Sequence, residues 1–186
     1  MENHHSMNQA KELFNLVLNF AGYGFNKSHS VAYSIIAYKM AYLKAHFKTI
    51  FFANLLSNVI GSSTKTNEYI MECKANNVEV VKPTINNSTS KYIVKDDKII
   101  YPISNIKGLG VVATETIERA KSKGEFTDIY DCFSRLFIEG ITKKVFEDLI
   151  MADTFKEFGI NRATLMYNLD SLYNYAELTK DLDPSL

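Results

Sequence analysis

Acidic residues are missing from a long stretch of this chain. Between Glu12 and Glu68 there is no Asp or Glu, while Lys27, Lys39, Lys44, Lys48 and Lys65 supply five positive charges. The whole chain balances to zero net charge, so total charge points to no partner. A local positive potential survives a neutral total, although a solvated lysine face would look the same. Cysteine is scarce, with only Cys73 and Cys132. Two distant thiols exclude a disulfide framework, and no CxxC pair offers metal spacing. Reduced thiols of a cytoplasmic protein are the expectation. No long uncharged apolar run suits a membrane span, and no signal-peptide pattern opens the chain, so no membrane partner is expected. The sequons at Asn86 and Asn87 are accordingly read as incidental. No carboxylate cluster with metal spacing occurs.

What is present points to a packed protein. The chain has 186 residues, 46% of them hydrophobic, with 12 Phe and 11 Tyr. That suffices for one domain or two small ones. The opening "MENHHSM" reads as an appended start, so residues 1–9 are expected to be disordered, and His4 and His5 are set aside. Leu13, Leu16, Val17 and Phe20 recur at helical spacing, with Gly22 and Gly24 as stops. Ser28 or Ser30 is expected to cap the next helix. That helix carries an apolar stripe of Val31, Ala32, Ile36, Met40, Leu43 and Phe47. Tyr33, Tyr38 and Tyr42 share its spacing and read as core or core edge. A break at Lys48-Thr49 precedes "IFFANLLSNVI", and "TKTNEYIMECKANN" follows with Thr66 as its expected cap. "VEVVKP" is strand-like, and "KYIVKDDKIIYPI" reads as a hairpin turning at Asp96-Asp97. Helical patterns then return to the end. The expected fold is mainly α with a small β element (α+β), in two parts: residues 10–104, then 105–186.

Two stretches carry chemistry. In "NIKGLGVVATETI" a glycine-x-glycine turn leads straight into a helix. Glycine permits positive φ and close approach of another backbone. Successive amides in such a turn form an anion nest, and the helix start adds partial positive charge. Lys107, Gly108, Leu109, Gly110 and Val111 therefore suit one phosphate of a nucleic-acid backbone, and the resemblance given below makes them the candidate DNA-binding residues. The spacing is neither a P-loop nor a dinucleotide fingerprint, and a tight turn with no ligand is the plainer reading. In "FAGYGFNKSHSVAY", Asn26, Lys27, Ser28 and His29 gather at a second helix start. That position favours an anion, although Asn26 and Ser28 as caps beside solvated Lys27 and His29 would explain it as well.

The run "IKGLG" before a helix resembles the hairpin of helix-hairpin-helix DNA-binding modules. "FAGYGFNKSHSVAYSIIAYKMAYLKAHF" resembles the fingers region of bacterial replicative DNA polymerase III alpha subunits, the C-family polymerases. The likeness continues through "YIMECKANNVEVVKPTIN", "YPISNIKGLGVVATETI" and "GEFTDIYDCFSRL", roughly residues 10 to 165. It implies a fingers-like helical region over residues 10–104 and a helix-hairpin-helix module over 105–186. It further implies that Asn26, Lys27, Ser28 and His29 line a nucleotide site, with primer-template DNA and a deoxynucleoside triphosphate as partners of the intact polymerase. Magnesium would belong to palm aspartates lying before residue 1, so this chain alone is expected to need no cofactor and to be inactive. Where the family tends to place glycine in a second hairpin turn, this chain has Asp153. An acid there repels phosphate, so residues 150–155 are expected to be structural. Lys121, Lys123, Lys143 and Lys144 are candidate electrostatic support for the first turn, or plain surface lysines. A non-catalytic replisome interaction module is the rival reading, and a self-contained nucleic-acid enzyme a more distant one.

Overall fold

The computed structural model describes residues 5–24 and 26–181, so residues 1–4 of the expected appended start lie outside the described residues. The chain divides into two units between His46 and Phe47, well before the expected change near residue 105.

The first unit holds α1 (Met7–Tyr23) and α2 (Lys27–His46). Ser6 accepts from the Gln9 N–H, while the Gln9 side chain accepts from the Ser6 N–H. This reciprocal pair satisfies two amides at the helix start. Residues 7–9 are therefore helical, which corrects the expectation of a disordered start. The cap of α2 is Asn26, not Ser28 or Ser30. Its Oδ1 accepts from the N–H of Ser28 at 3.0 Å and of His29 at 3.4 Å. The helix begins at Lys27, so both serines already sit inside it.

No side chain of α2 is buried. Tyr33, Tyr38 and Tyr42 are 61%, 70% and 48% exposed, and Val31, Ile36, Met40 and Leu43 are exposed as well. The expectation that the tyrosines form core is corrected. Two helices are too few to enclose an apolar interior.

The second unit begins with α3 (Lys48–Ser57) and α4 (Ser63–Ala75). The helix break falls at Phe47, one residue before the expected site. Thr66 lies within α4 and is not its cap; Ser62 precedes the first turn. A small sheet follows: β1 (Val80–Val81), β2 (Ile93–Lys95) and β3 (Lys98–Ile100), in the order β1-β3-β2. β2 and β3 are antiparallel, and β1 joins β3 in parallel, with Val80 opposite Ile99. Asp96 and Asp97 have φ of 51° and 55°. Two successive left-handed residues match the right-handed twist of a hairpin, and Asp tolerates that region better than most residues. Asp97 also accepts from the Thr49 hydroxyl at 2.6 Å, tying the turn to α3.

The rest is helical: α5 (Val111–Lys121), α6 (Ile129–Ile138), α7 (Lys143–Met151), α8 (Arg162–Tyr167) and α9 (Leu169–Thr179). Two apolar clusters hold the unit together. One joins Phe52, Leu56, Cys73, Tyr92 and Ile99. The larger joins residues of α5 to α9, including Ile117, Phe133, Leu136, Phe146 and Leu172, and recruits Ile85 from the loop after β1. The Phe133 and Phe146 rings stack with centroids 4.1 Å apart. Asp128 caps α6 and Asn161 caps α8. The Arg135 guanidinium lies over the Phe126 ring, 4.4 Å from its centroid, and donates to the carbonyls of Ala120, Gly124 and Glu125. It thereby gathers the orphan acceptors of the turn between α5 and α6.

Both cysteines are buried. Burial pushes the Cys73 thiol up to about 11 and the Cys132 thiol well above its ordinary value. A raised folded-state value means the unfolded chain loses these protons first, so stability falls as pH rises through the unfolded thiol range, from about 8.5 upward. Neither thiol should react with an alkylating reagent at pH 8 while the protein is native, and both should react in denaturant. Rapid native-state labelling at pH 8, read by mass spectrometry, would contradict this packing.

Candidate nucleic-acid interface

The glycine turn between the short 3-10 helix (Ile103–Asn105) and α5 divides its labour. Gly108 has φ +98°, which favours glycine. Gly110 has φ −82° and ψ 171°, extended backbone open to any residue, with empty space where a Cβ would project. Only the first of the two glycines is conformationally required.

Lys107, Gly108, Gly110 and Val111 are exposed. Leu109 departs from its expected role as a DNA contact. It is 8% exposed, belongs to the larger core cluster, and its N–H donates to the Ile106 carbonyl at 3.1 Å. An apolar side chain between two glycines anchors the turn by burial. The available donors are instead the first amides of α5, which have no intrahelical acceptor. Gly110 provides no side-chain cap, and the first turn holds no acid. Val111 and Val112 are 73% and 76% exposed. The positive end of α5 therefore opens outward beside Lys107.

A residue absent from the sequence reading supports the turn. An ideal Cβ at Gly108 would stand 2.2 Å from Asp148 Oδ2. Asp148 is held by Lys144, with Nζ to Oδ1 at 3.1 Å. Hydrogen bonding to Asp148 raises the Lys144 ammonium above its ordinary value. So α7, from the second helical pair, packs a carboxylate against the first turn. The i,i+4 pair of Lys144 and Asp148 is visible in sequence; its place under Gly108 is not.

The other lysines considered as support are engaged within the protein. Lys121 donates to the Ser88 carbonyl at 2.6 Å, and burial lowers its ammonium. Lys123 pairs with Glu139 at 2.7 Å, and Lys143 pairs with Asp170. The hydrogen bonds from Lys123 and Arg119 hold the Glu139 carboxyl below its usual range. The turn at Asp153 is stitched inward. Thr154 is fully buried, its hydroxyl donates to the Leu149 carbonyl at 2.9 Å, and its carbonyl accepts from the Ile85 N–H at 2.9 Å.

In the first unit, Asn26 is occupied as a cap and Ser28 donates its hydroxyl to Asn26 Oδ1 at 2.5 Å. The His29 ring leans on Tyr33, 4.3 Å between centroids. Lys27 is exposed and stands at one end of an open hollow of about 600 Å³ along α2, with Lys39 at the other. The four residues thus share one helix start, two of them through its cap.

Comparison with known proteins gives two findings. The helix-hairpin-helix motif family matches residues 77–165. The DNA polymerase III alpha subunit of Bacillus subtilis is 36% identical over 178 residues, 96% of this chain. Its counterpart from Staphylococcus aureus strain MRSA252 is 40% identical over 164 residues, 88% of this chain. The chain is homologous to a segment of DNA polymerase III alpha subunits. It spans about 16% and 15% of the lengths of those two relatives. Within this chain, the helix-hairpin-helix match begins at Asn77, so it takes in the sheet as well as α5 to α7. The loop after β1 packs with the helices, since Ile85 sits in the same core as Phe133, whereas Ile99 of β3 packs with Phe52 and Leu56 of α3. Among the described residues, no group of three or more His, Cys, Asp or Glu is placed to hold a metal ion, and no helix is long and apolar enough to cross a membrane.

Proposed function

We propose that this chain binds nucleic-acid backbone through the open start of α5, as part of template-directed DNA synthesis by a polymerase III alpha subunit. The observation that carries the reading is the exposed, uncapped N-terminus at Gly110-Val111, whose own first turn holds no acid, beside Lys107 and next to a glycine at φ +98°. Amides and a helix dipole hold a phosphate but read no base, so the contact positions DNA without sequence preference. Magnesium chemistry belongs, in this reading, to palm carboxylates outside the chain.

Fluorescence anisotropy with a labelled primer-template, over a range of salt, tests the contact. Lys107→Ala should weaken binding to all sequences alike and lower the salt slope by about one. An unaltered slope in the folded variant would remove Lys107 from the interface.

The finer proposal concerns nucleotide positioning. Lys27, at the start of α2 beside the Asn26 cap, is the residue of its group best placed to meet a triphosphate. In the intact polymerase, Lys27→Ala should raise the nucleotide concentration needed for half-maximal synthesis by roughly tenfold, the scale of one charge-assisted contact. Equal KM in steady-state extension would dismiss the triphosphate role. A protein-interaction module is the second reading, favoured by the exposed apolar residues of α2. Partner capture without any DNA affinity would select it.

A further inference from the structure

Phosphate binding at the glycine turn leaves one neighbour unexplained, a carboxylate packed against it. An ideal Cβ at Gly108 would meet Asp148 Oδ2 at 2.2 Å, Cγ at 2.7 Å and Oδ1 at 3.2 Å. The whole carboxyl group thus covers the face that a side chain would occupy. It comes from α7, and the Asp148 side chain is only 17% exposed.

An acid is locally unfavourable at this position. Asp148 lies in the last turn of α7, at the negative end of the helix dipole. Aspartate is also a weak helix former, and partial burial disfavours its charge. Hydrogen bonds to the turn would offset these terms, but none is formed. Oδ1 accepts from Lys144 Nζ at 3.1 Å, whereas Oδ2, the oxygen nearer Gly108, accepts no hydrogen bond among the described residues. The Leu109 N–H donates to the Ile106 carbonyl instead. Asp148 therefore supports the turn by contact alone, and contact alone does not call for a charge.

Lys144 is the other half of the arrangement. Its side chain is 71% exposed, and its ammonium meets Glu147 at 3.2 Å as well as Asp148. Exposed pairs of this kind are weak and give way readily to another anion. One carboxyl group separates the ammonium from Gly108.

We infer that Asp148 is an electrostatic counterweight to the glycine turn. It opposes a phosphate at the start of α5 and holds Lys144 back from it, so the strand is gripped loosely and released readily. The inference rests on the proposed backbone binding by that turn. A like charge weakens an anion site most at low salt, where screening is least. Neutralising Asp148 leaves Lys144 as a second cation for the strand, in addition to Lys107.

The test is fluorescence anisotropy of the 186-residue chain with a labelled primer-template over a range of salt. Asp148→Asn preserves the shape and should melt within a few degrees of the parent. It should bind DNA severalfold more tightly at low salt, dissociate more slowly, and steepen the salt slope by about one as Lys144 joins the contact. Asp148→Ala, which brings no donor of its own, should tighten binding as well. Lys144→Ala should barely alter the parent, yet it should return Asp148→Asn to the parent slope. A purely structural role would not produce that non-additivity. Equal or weaker binding by folded Asp148→Asn overturns the counterweight, as does an equal effect of Lys144→Ala in both backgrounds. No DNA binding by the parent or any variant overturns the backbone reading of the turn, and the counterweight with it.

Discussion

Replacing Phe146 with alanine should cost about 3–5 kcal/mol of folding stability. Phe146 is fully buried on α7, stacked on Phe133 at 4.1 Å, and edge-on to Tyr173 at 6.1 Å. Phe133 in turn meets Phe155, 5.8 Å between centroids. Truncation therefore removes one ring from an aromatic array contributed by α6, α7, the turn after α7 and α9. The neighbours cannot close the gap, because each is held by its own helix. A typical domain has only about 5–15 kcal/mol in hand, so the second unit should be near its unfolding limit at 37 °C. Urea denaturation followed by circular dichroism measures this; a loss below about 1 kcal/mol, the scale of an ordinary substitution, would mean the array is not the centre of the core.

Substitutions at the two glycines of the turn should separate stability from binding. Gly108→Val introduces a β-branched side chain at φ +98° and drives it into the Asp148 carboxylate. Backbone strain of that kind costs about 1–3 kcal/mol, and displacing Asp148 also disturbs its pair with Lys144. Gly110→Asp behaves in the opposite way. Its backbone is already extended, its Cβ meets open space, and aspartate is a favoured helix cap. Thermal stability should hold or rise. DNA affinity should fall by roughly tenfold or more at low salt, because a carboxylate occupies the place of the phosphate and neutralises the helix start. Loss of affinity in a variant that melts no earlier than the parent is the result expected of an anion site. Equal affinity would reject it.

Much of the second unit is legible without coordinates. The alternating runs around Asp96-Asp97 mark the hairpin, because two β-branched strands and two residues tolerant of positive φ leave few other conformations. The run Val111 to Lys121 is legible as a helix for the same local reason, a glycine start and an unbroken 3.6-residue pattern. The burial of Leu109 is not legible, because it depends on Ile106 and the core beneath rather than on the glycine neighbours. Nor is the cap of α2, since Asn26, Ser28 and Ser30 are all competent caps and only the path of the chain selects Asn26.

The sequence by itself determined the helices, the hairpin and the lysine-rich, acid-free character of residues 13–67, because propensity, periodicity and charge are local properties. Tertiary structure alone decided that Gly108 needs to be glycine while Gly110 does not, that Lys121, Lys123 and Lys143 face internal partners, and that Thr66 and Lys107 line one pocket. Those outcomes depend on which distant residues meet: a carboxylate on another helix, at Asp148, sets the space available to the turn at Gly108.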